Sequence, residues 1–163
     1  MPRSSRQSAG ILLYRKVENR LQVLLVHPGG PFWAKKDLGA WTIPKGEHEE
    51  GEDPEQAARR EFAEETGASL ALEELVPLGE VRQKSGKIVR AFAAEGDFDP
   101  KELNSNTFEL EWPPRSGRRI EVPEVDRAEW FDLEEAARRL FEAQRPFLER
   151  FQESADPHRS SES

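Results

Sequence analysis

Three glutamates, Glu61, Glu64 and Glu65, stand at i, i+3 and i+4 within a stretch, Pro54 to Thr66, that is rich in Ala, Glu, Gln and Arg. On a helix that spacing projects side chains from one side, one above another. Each like-charged pair so placed costs about 0.2–0.5 kcal/mol, and Glu64 and Glu65 also crowd the last turn, where the helix dipole disfavours anions. Something cationic should compensate. Arg59 and Arg60 are one source, although exposed ion pairs contribute only about 0–1 kcal/mol. A hard divalent cation is the stronger account, because Mg²⁺ takes oxygen ligands, keeps several waters and is usually held by a few carboxylates together with substrate phosphates. The rival for a bare E-x-x-E-E is a solvated acidic helix face.

The elements that must hold these carboxylates are legible nearby. Asp53 is suited to cap a helix and Pro54 to its first position, while Gly67 falls in the C-cap place. The spacing predicts a helix of about three and a half turns from Pro54 to Thr66. Before it, Trp41-Thr42-Ile43-Pro44 reads as a short strand delivering the chain to Lys45 and Gly46. A lysine there can reach a phosphate as a point charge; plain solvent exposure is the alternative.

The wider pattern is more specific than the helix alone. Gly46, five residues, Glu52, seven residues, then Arg60-Glu61, Phe62, Ala63, Glu64-Glu65, Thr66, Gly67 and Ala68 resemble the Nudix box, G-x5-E-x7-R-E-U-x-E-E-x-G-U, where U is a bulky apolar residue. All fixed polar and glycine positions are matched. Ala68 is smaller than the pattern prefers and Phe62 is aromatic where an aliphatic is commoner; both bear on packing beneath the helix. The resemblance implies a hydrolase dependent on Mg²⁺ or Mn²⁺ that acts on a nucleoside diphosphate linked to another group. It further implies that Glu61, Glu64 and Glu65 bind metal or activate water, that the Gly46 carbonyl adds a ligand, that Arg60 orients a carboxylate, and that Glu52 is a structural or accessory acid. No single glutamate is singled out as the base. Some members recruit a further metal-binding glutamate from a later loop, for which Glu124 is best placed and Glu121 second.

Such chemistry asks for such a site. A diphosphate bridge is anionic and repels hydroxide, so metal ions must neutralise its oxygens, lower the pKa of a bound water and hold attacking and leaving oxygens in line. Carboxylates on one short helix have separations set by helical geometry rather than by loop packing.

With 163 residues and 36% apolar composition, the chain fits one compact domain with a real core. The net charge of −8 provides no global basic field, which argues against nucleic-acid and anionic-membrane partners. There are no cysteines, so no disulfide framework or thiol chemistry is available. No apolar run approaches membrane-spanning length and the N-terminus lacks the apolar core of a signal peptide, making the cytoplasm the expected location. Oligomeric state is left open.

Along the chain, residues 1–7 read as a loose leader, 8–152 as the domain and 153–163 as a disordered tail. Strands are expected over Ser8 to Arg15 and Leu21 to His27, with a turn at Glu18-Asn19-Arg20. The segment Gly29 to Ala40, with Phe32, Trp33, Lys35 and Lys36, is a long loop that either lies over a pocket or tucks its aromatics on the core. His27, at a strand end, reads as structural. An acidic connection, Leu70 to Leu75, leads to strands from Val76 to Gln83 and Lys87 to Ala94, joined by a turn at Ser85-Gly86. This hairpin carries Arg82, Lys84, Lys87 and Arg90; alternation puts Arg82 and Lys84 on one face, where they meet polyphosphate or simply blunt a solvated edge. Lys101 to Asn106 is a turn or short helix, Thr107 to Trp112 a strand of unclear partners, and PPRSGRR a mobile loop. A strand through Trp130-Phe131 then leads to a helix capped by Asp132 with Glu135 at N3, its buried positions being Leu133, Ala136, Ala137 and Leu140. A last amphipathic helix runs from Pro146 to Phe151. This order agrees with the α/β/α sandwich with mixed sheet of Nudix proteins.

Substrate choice rests on fewer residues. The WTIPKGE opening and the Trp33 loop look like the Nudix branch that includes diadenosine tetraphosphate hydrolases, with aromatics stacking adenine and Lys45, Arg82, Lys84 and Lys87 holding a phosphate chain. The substrate is then a nucleotide or dinucleotide. A (d)NTP clean-up pyrophosphohydrolase is the close alternative, RNA 5′-end hydrolysis is weakened by the acidic balance, and a catalytically silent binding module is the reading of another class.

Overall fold

The computed structural model describes residues 7–68 and 74–155. Strand β1 (Gln7–Val17) is the spine. Its Ala9, Ile11 and Leu13 enter one apolar cluster and Leu12 the other, so its apolar run reflects burial on both faces. It turns into β2 (Arg20–Pro28) through Glu18 at φ 51° and Asn19 at φ 67°, the left-handed pair that a two-residue hairpin loop requires. On its other edge β1 pairs in parallel with β5 (Ile88–Glu95), which pairs antiparallel with β4 (Val76–Arg82). Beyond β2 lies β8 (Val125–Asp132), giving the order β4-β5-β1-β2-β8. The first residues of β1 also pair antiparallel with β3 (Lys45–His48). The sheet is therefore mixed, as expected. A separate two-stranded ribbon joins β6 (Thr107–Glu111) to β7 (Arg119–Pro123).

Helices cover both faces. Helix α1 (Pro54–Thr66) lays Ala57, Ala58 and Phe62 on the cluster with Ala9, Ile11, Leu24 and Val26. Helices α2 (Leu133–Arg139) and α3 (Arg145–Ala155) cover the opposite face, where Ala136, Leu140, Phe147 and Phe151 meet Leu12, Val23, Trp41 and Val89. This is the α/β/α sandwich. No helix among the described residues is long and apolar enough to cross a membrane.

Four expectations need correction. The strand before the helix is Lys45–His48, not Trp41 to Pro44; Trp41 and Thr42 make only single bridges, to Leu140 and Val26. Buried Gln144 takes over there, accepting from Ile43 N at 3.1 Å and donating to Thr42 Oγ1 at 2.8 Å. The basic stretch after Pro113 is a hairpin tip, because Arg119 already begins β7. Lys84 lies in the turn that Gly86 closes by donating to Gln83 O, not on the strand beside Arg82. Gln7 belongs to β1, and α3 continues to Ala155, past the expected start of the tail. The remainder of the leader (1–6), the remainder of the expected tail (156–163), and Ser69 with residues 70–73 of the acidic connection lie outside the described residues.

Candidate active site

Helix α1 begins and ends as its sequence dictates. Asp53 accepts from Gln56 N, Pro54 opens the first turn, and Gly67 at φ 80° donates to Ala63 O. Between these caps the three glutamates face the end of the sheet where β3 meets β1. Glu61 is 7% exposed and lies directly on Gly46: a Cβ built there would stand 1.6 Å from Glu61 Oε1. The glycine is required by close approach, since its φ is not among the positive ones. Glu65 Oε1 accepts from the Lys45 amide at 3.1 Å. Arg60 spans the remaining acids. It donates to both oxygens of Glu52 at 3.1 Å, contacts Glu61 Oε2 and reaches Glu64 at 3.4 Å. Arg60 thus orients Glu61, and Glu52 anchors Arg60.

The electrostatics show unmet demand for positive charge. Burial, reinforced by the Glu64 carboxylate, raises the Glu61 carboxyl to about 7 although Arg60 pulls it down. Burial raises Glu65 to about 8 against the pull of Lys45, with Glu124 and Glu61 adding to the rise. Glu124 is raised by burial and by Glu64. In Lys45, burial and the nearby Lys87 ammonium lower the pKa, opposed by Glu65, Glu47 and Glu61. Arg60 and Lys45 thus leave three neighbouring carboxylates, Glu61, Glu65 and Glu124, short of countercharge.

All the donors are hard oxygens, which suits Mg²⁺ or Mn²⁺. Among the described residues no three acidic or imidazole side chains converge as a formed cage. Mg²⁺ does not need one, because it keeps waters and shares substrate phosphates. A cleft of 830 Å³ opens beside Arg60, walled by Glu47 to Glu52; carboxylates on that wall disfavour an unaccompanied polyphosphate.

Glu124 reaches the site from far along the chain. Its amide donates to Asn106 O at 2.8 Å, its carbonyl accepts from Gly29 N at 3.0 Å, and the Asn106 amide donates to Glu64 O at 3.1 Å. Asn106 and Gly29 were missed from sequence; Pro28-Gly29-Gly30 was the available signal, because a Cβ at Gly29 would meet Pro123 O at 2.1 Å. Glu121 lies within the ribbon opposite Glu109, whereas Glu124 lies past the end of β7, between it and β8.

The expected substrate cations are divided. Lys45 lies at the carboxylates, and Lys87 pairs with Glu47 at 3.5 Å. Arg90 pairs with Glu80 at 3.0 Å. Arg82 and Lys84 are exposed. Trp33 is half-buried, edge-on to Phe141 at 5.4 Å, whereas its neighbour Phe32 is 56% exposed with Lys36 Nζ 3.9 Å from its ring centre. His27 is structural: buried, its Nδ1 lies 2.8 Å from Asp126 Oδ1 and its Nε2 2.7 Å from Lys36 O, which ties down the Trp33 loop.

The family model for the NUDIX domain matches residues 4–151. An RNA pyrophosphohydrolase of Caulobacter vibrioides is 48% identical over 52 residues, 29% of this chain and 30% of that protein. The asymmetrical bis(5'-nucleosyl)-tetraphosphatase of Caenorhabditis elegans is 38% identical over 69 residues, 42% of this chain and 44% of that protein. The chain spans less than half the length of the curated relatives it matches. Among solved structures, a binary complex of C. elegans Ap4A hydrolase superposes with a TM-score of 0.65 at 22% identity, covering 89% of this chain and 95% of that one. At that identity the likeness shows the fold.

Proposed function

The chain belongs to the Nudix family, and from that premise we propose that it hydrolyses a phosphoanhydride in a dinucleoside polyphosphate such as Ap4A, releasing ATP and AMP. The observation that carries this reading is the gathering of Glu61, Glu64, Glu65 and Glu124, each short of countercharge or in contact with one that is, beside Lys45 at one end of the sheet. Nudix hydrolases generally use divalent metal ions, and a bound Mg²⁺ or Mn²⁺ supplies an acidified water and neutralises phosphate oxygens.

The chain's own residues do the remainder. Glu61, Glu64, Glu65 and Glu124, with the Gly46 carbonyl, are the groups that would hold the cation. Arg60, anchored on Glu52, keeps Glu61 aimed at it. Whichever of these glutamates lies outside the inner shell takes the proton of the attacking water; the water oxygen bonds to an anhydride phosphorus as that phosphorus's bond to the bridging oxygen breaks, so one nucleotide gains the hydroxyl and the other leaves carrying the bridging oxygen. Lys45, with Lys87 close by, attracts the phosphate chain, and Arg82 and Lys84 extend that positive edge. Trp33 and Phe32 stand at the loop as aromatic surface for a base.

The test is incubation with Mg²⁺ and a panel of Ap4A, dNTPs, 5′-triphosphorylated RNA, ADP-ribose and NADH, with products separated by chromatography. ATP plus AMP from Ap4A supports the proposal. Preferred conversion of dNTP to dNMP and pyrophosphate would replace it with nucleotide clean-up. Tight ligand binding without turnover of any compound would make this a silent binding module.

A further inference from the structure

The ribbon β6–β7 has two chemically different faces. Its register pairs Phe108 with Val122 and Leu110 with Ile120, putting four apolar side chains on one face. Glu109 opposite Glu121, and Glu111 opposite Arg119, put charge on the other. A lone two-stranded hairpin is marginal in water, so this one must be braced. The bracing is at its root, where Asn104 N donates to Thr66 O, Asn106 N to Glu64 O and Glu124 N to Asn106 O.

The apolar face is only partly covered. The start of the 29–40 loop lies over its middle: a Cβ at Gly30 would stand 3.8 Å from both Leu110 and Val122, and Val122 is 6% exposed. Phe108 remains 41% exposed and Ile120 37%. At the root of the ribbon, two residues before Phe108, Asn106 N donates to Glu64 O and Glu124 N donates to Asn106 O, so the strand leads directly from the backbone of the glutamate helix to Phe108. The uncovered apolar strip therefore begins where the carboxylates end.

We propose that the Phe108 side of this ribbon is a wall on which one of the substrate's two nucleobases lies, separate from the aromatic surface of the Trp33 loop. The inference rests on the pyrophosphohydrolase reading in one respect, that the phosphate chain is held at the carboxylates. Phe108 is two residues beyond Asn106, about 7 Å at a rise of roughly 3.4 Å per residue, a span that a ribose bridges between phosphate and base. A flat ring beside a phosphate site suits stacking, which accepts any base because every base has a π-face. The strip presents no hydrogen-bonding side chain, so it selects ring size rather than base identity, and purines bind better than pyrimidines. A second copy of the chain is a poor occupant, because stable interfaces bury about 800 Å² per partner and only two side chains are uncovered here.

Calorimetry with the full chain in Mg²⁺, comparing AMP with ribose 5-phosphate, isolates the base, since the two ligands share ribose and phosphate. The wild type should bind AMP about tenfold more tightly. Phe108→Ala should bring AMP to the level of ribose 5-phosphate and leave the latter unchanged, and Phe108→Leu, which keeps bulk without a ring, should fall between. Absence of any AMP preference in the wild type, its survival in both variants, or equal weakening of both ligands would overturn the proposal. So would a change of oligomeric state on gel filtration in either variant, which would make this face an interface between copies. Because no turnover is measured, a protein that fails to cleave Ap4A yet shows the base preference loses the proposed substrate and keeps the wall. One that cleaves Ap4A without the preference does the reverse.

Discussion

Replacing Gly46 by alanine should disable the enzyme while leaving the fold almost intact. The new Cβ would stand 1.6 Å from Glu61 Oε1, 2.2 Å from Cδ and 2.9 Å from Cγ, whereas carbon contacts settle near 3.5–4.0 Å. The carboxylate must retreat by roughly 2 Å, since the strand is held by β1 through the Ala9–Gly46 register pair and the helix by its buried face. Backbone strain is not the cause, as Gly46 is absent from the positive-φ residues. A shifted rotamer costs on the order of 0.5–1.5 kcal/mol, which for a chain of this size lowers Tm by no more than about 6 °C. The effect on chemistry is far larger, because a misplacement of about 1 Å can cost roughly 100-fold. We expect kcat/KM in saturating Mg²⁺ to fall at least about 100-fold. The double variant with Glu61→Gln should be no worse than Glu61→Gln alone, since Gly46 acts through that carboxylate. Activity within about threefold of wild type at unchanged Tm would refute the reasoning.

Three other outcomes follow from the same geometry. Glu64→Gln and Glu65→Gln should each cut kcat by orders of magnitude while far-ultraviolet circular dichroism stays unchanged; near-normal rates in both would remove these residues from the chemistry. With carboxyls raised from 4.5 to about 7 in Glu61 and about 8 in Glu65, the folded state binds protons more tightly than the unfolded one. Their stabilising contribution is full below about 4.5 and lost as pH rises through 7 to 8, so Tm in EDTA should decline across that window while the increment from added MgCl₂ grows; a level Tm in EDTA would contradict this. His27→Ala strips Asp126 and Lys36 O of a buried partner, and should lower urea-unfolding stability by roughly 2–4 kcal/mol; an unchanged midpoint would show that the loop is held by other contacts.

What the sequence made legible was whatever a few neighbouring residues decide. Helix α1 was predicted to the residue because Asp53, Pro54 and Gly67 specify its ends locally, and the start of α2 likewise because Asp132 caps Glu135 N. Strand β3 was misplaced for the complementary reason. Lys45 to His48 has no apolar alternation, and it is a strand only because the start of β1, more than thirty residues earlier, offers a free edge. Trp41 to Pro44 has the buried, strand-like composition, yet its polar groups go to Gln144 and to single bridges. Ribbon strand β7 hid behind prolines and arginines that read as loop, because its partner β6 supplies the pattern only once the register is known.

The site divides along the same line. Glu61, Glu64 and Glu65 share a helix, and their spacing alone announces them. Their environment is not local: Gly46 presses on Glu61 from the sheet, Lys45 bonds Glu65 through its backbone, and Arg60 reaches back eight residues to Glu52. Glu124 arrives by a chain of backbone bonds through Asn106 and Gly29, marked in the sequence by the glycine and not by a functional side chain. That chain of bonds ties the two-stranded ribbon to the end of the helix that carries the glutamates. The bonds that fix the root of β6–β7 to the end of α1 also fix Glu124 against Glu64, so any movement of the ribbon relative to the helix displaces a carboxylate and the apolar wall together. If Phe108 carries a base as proposed, base contact there and charge placement at Glu124 belong mechanically to one element, so that binding of the organic group would help to position the anhydride.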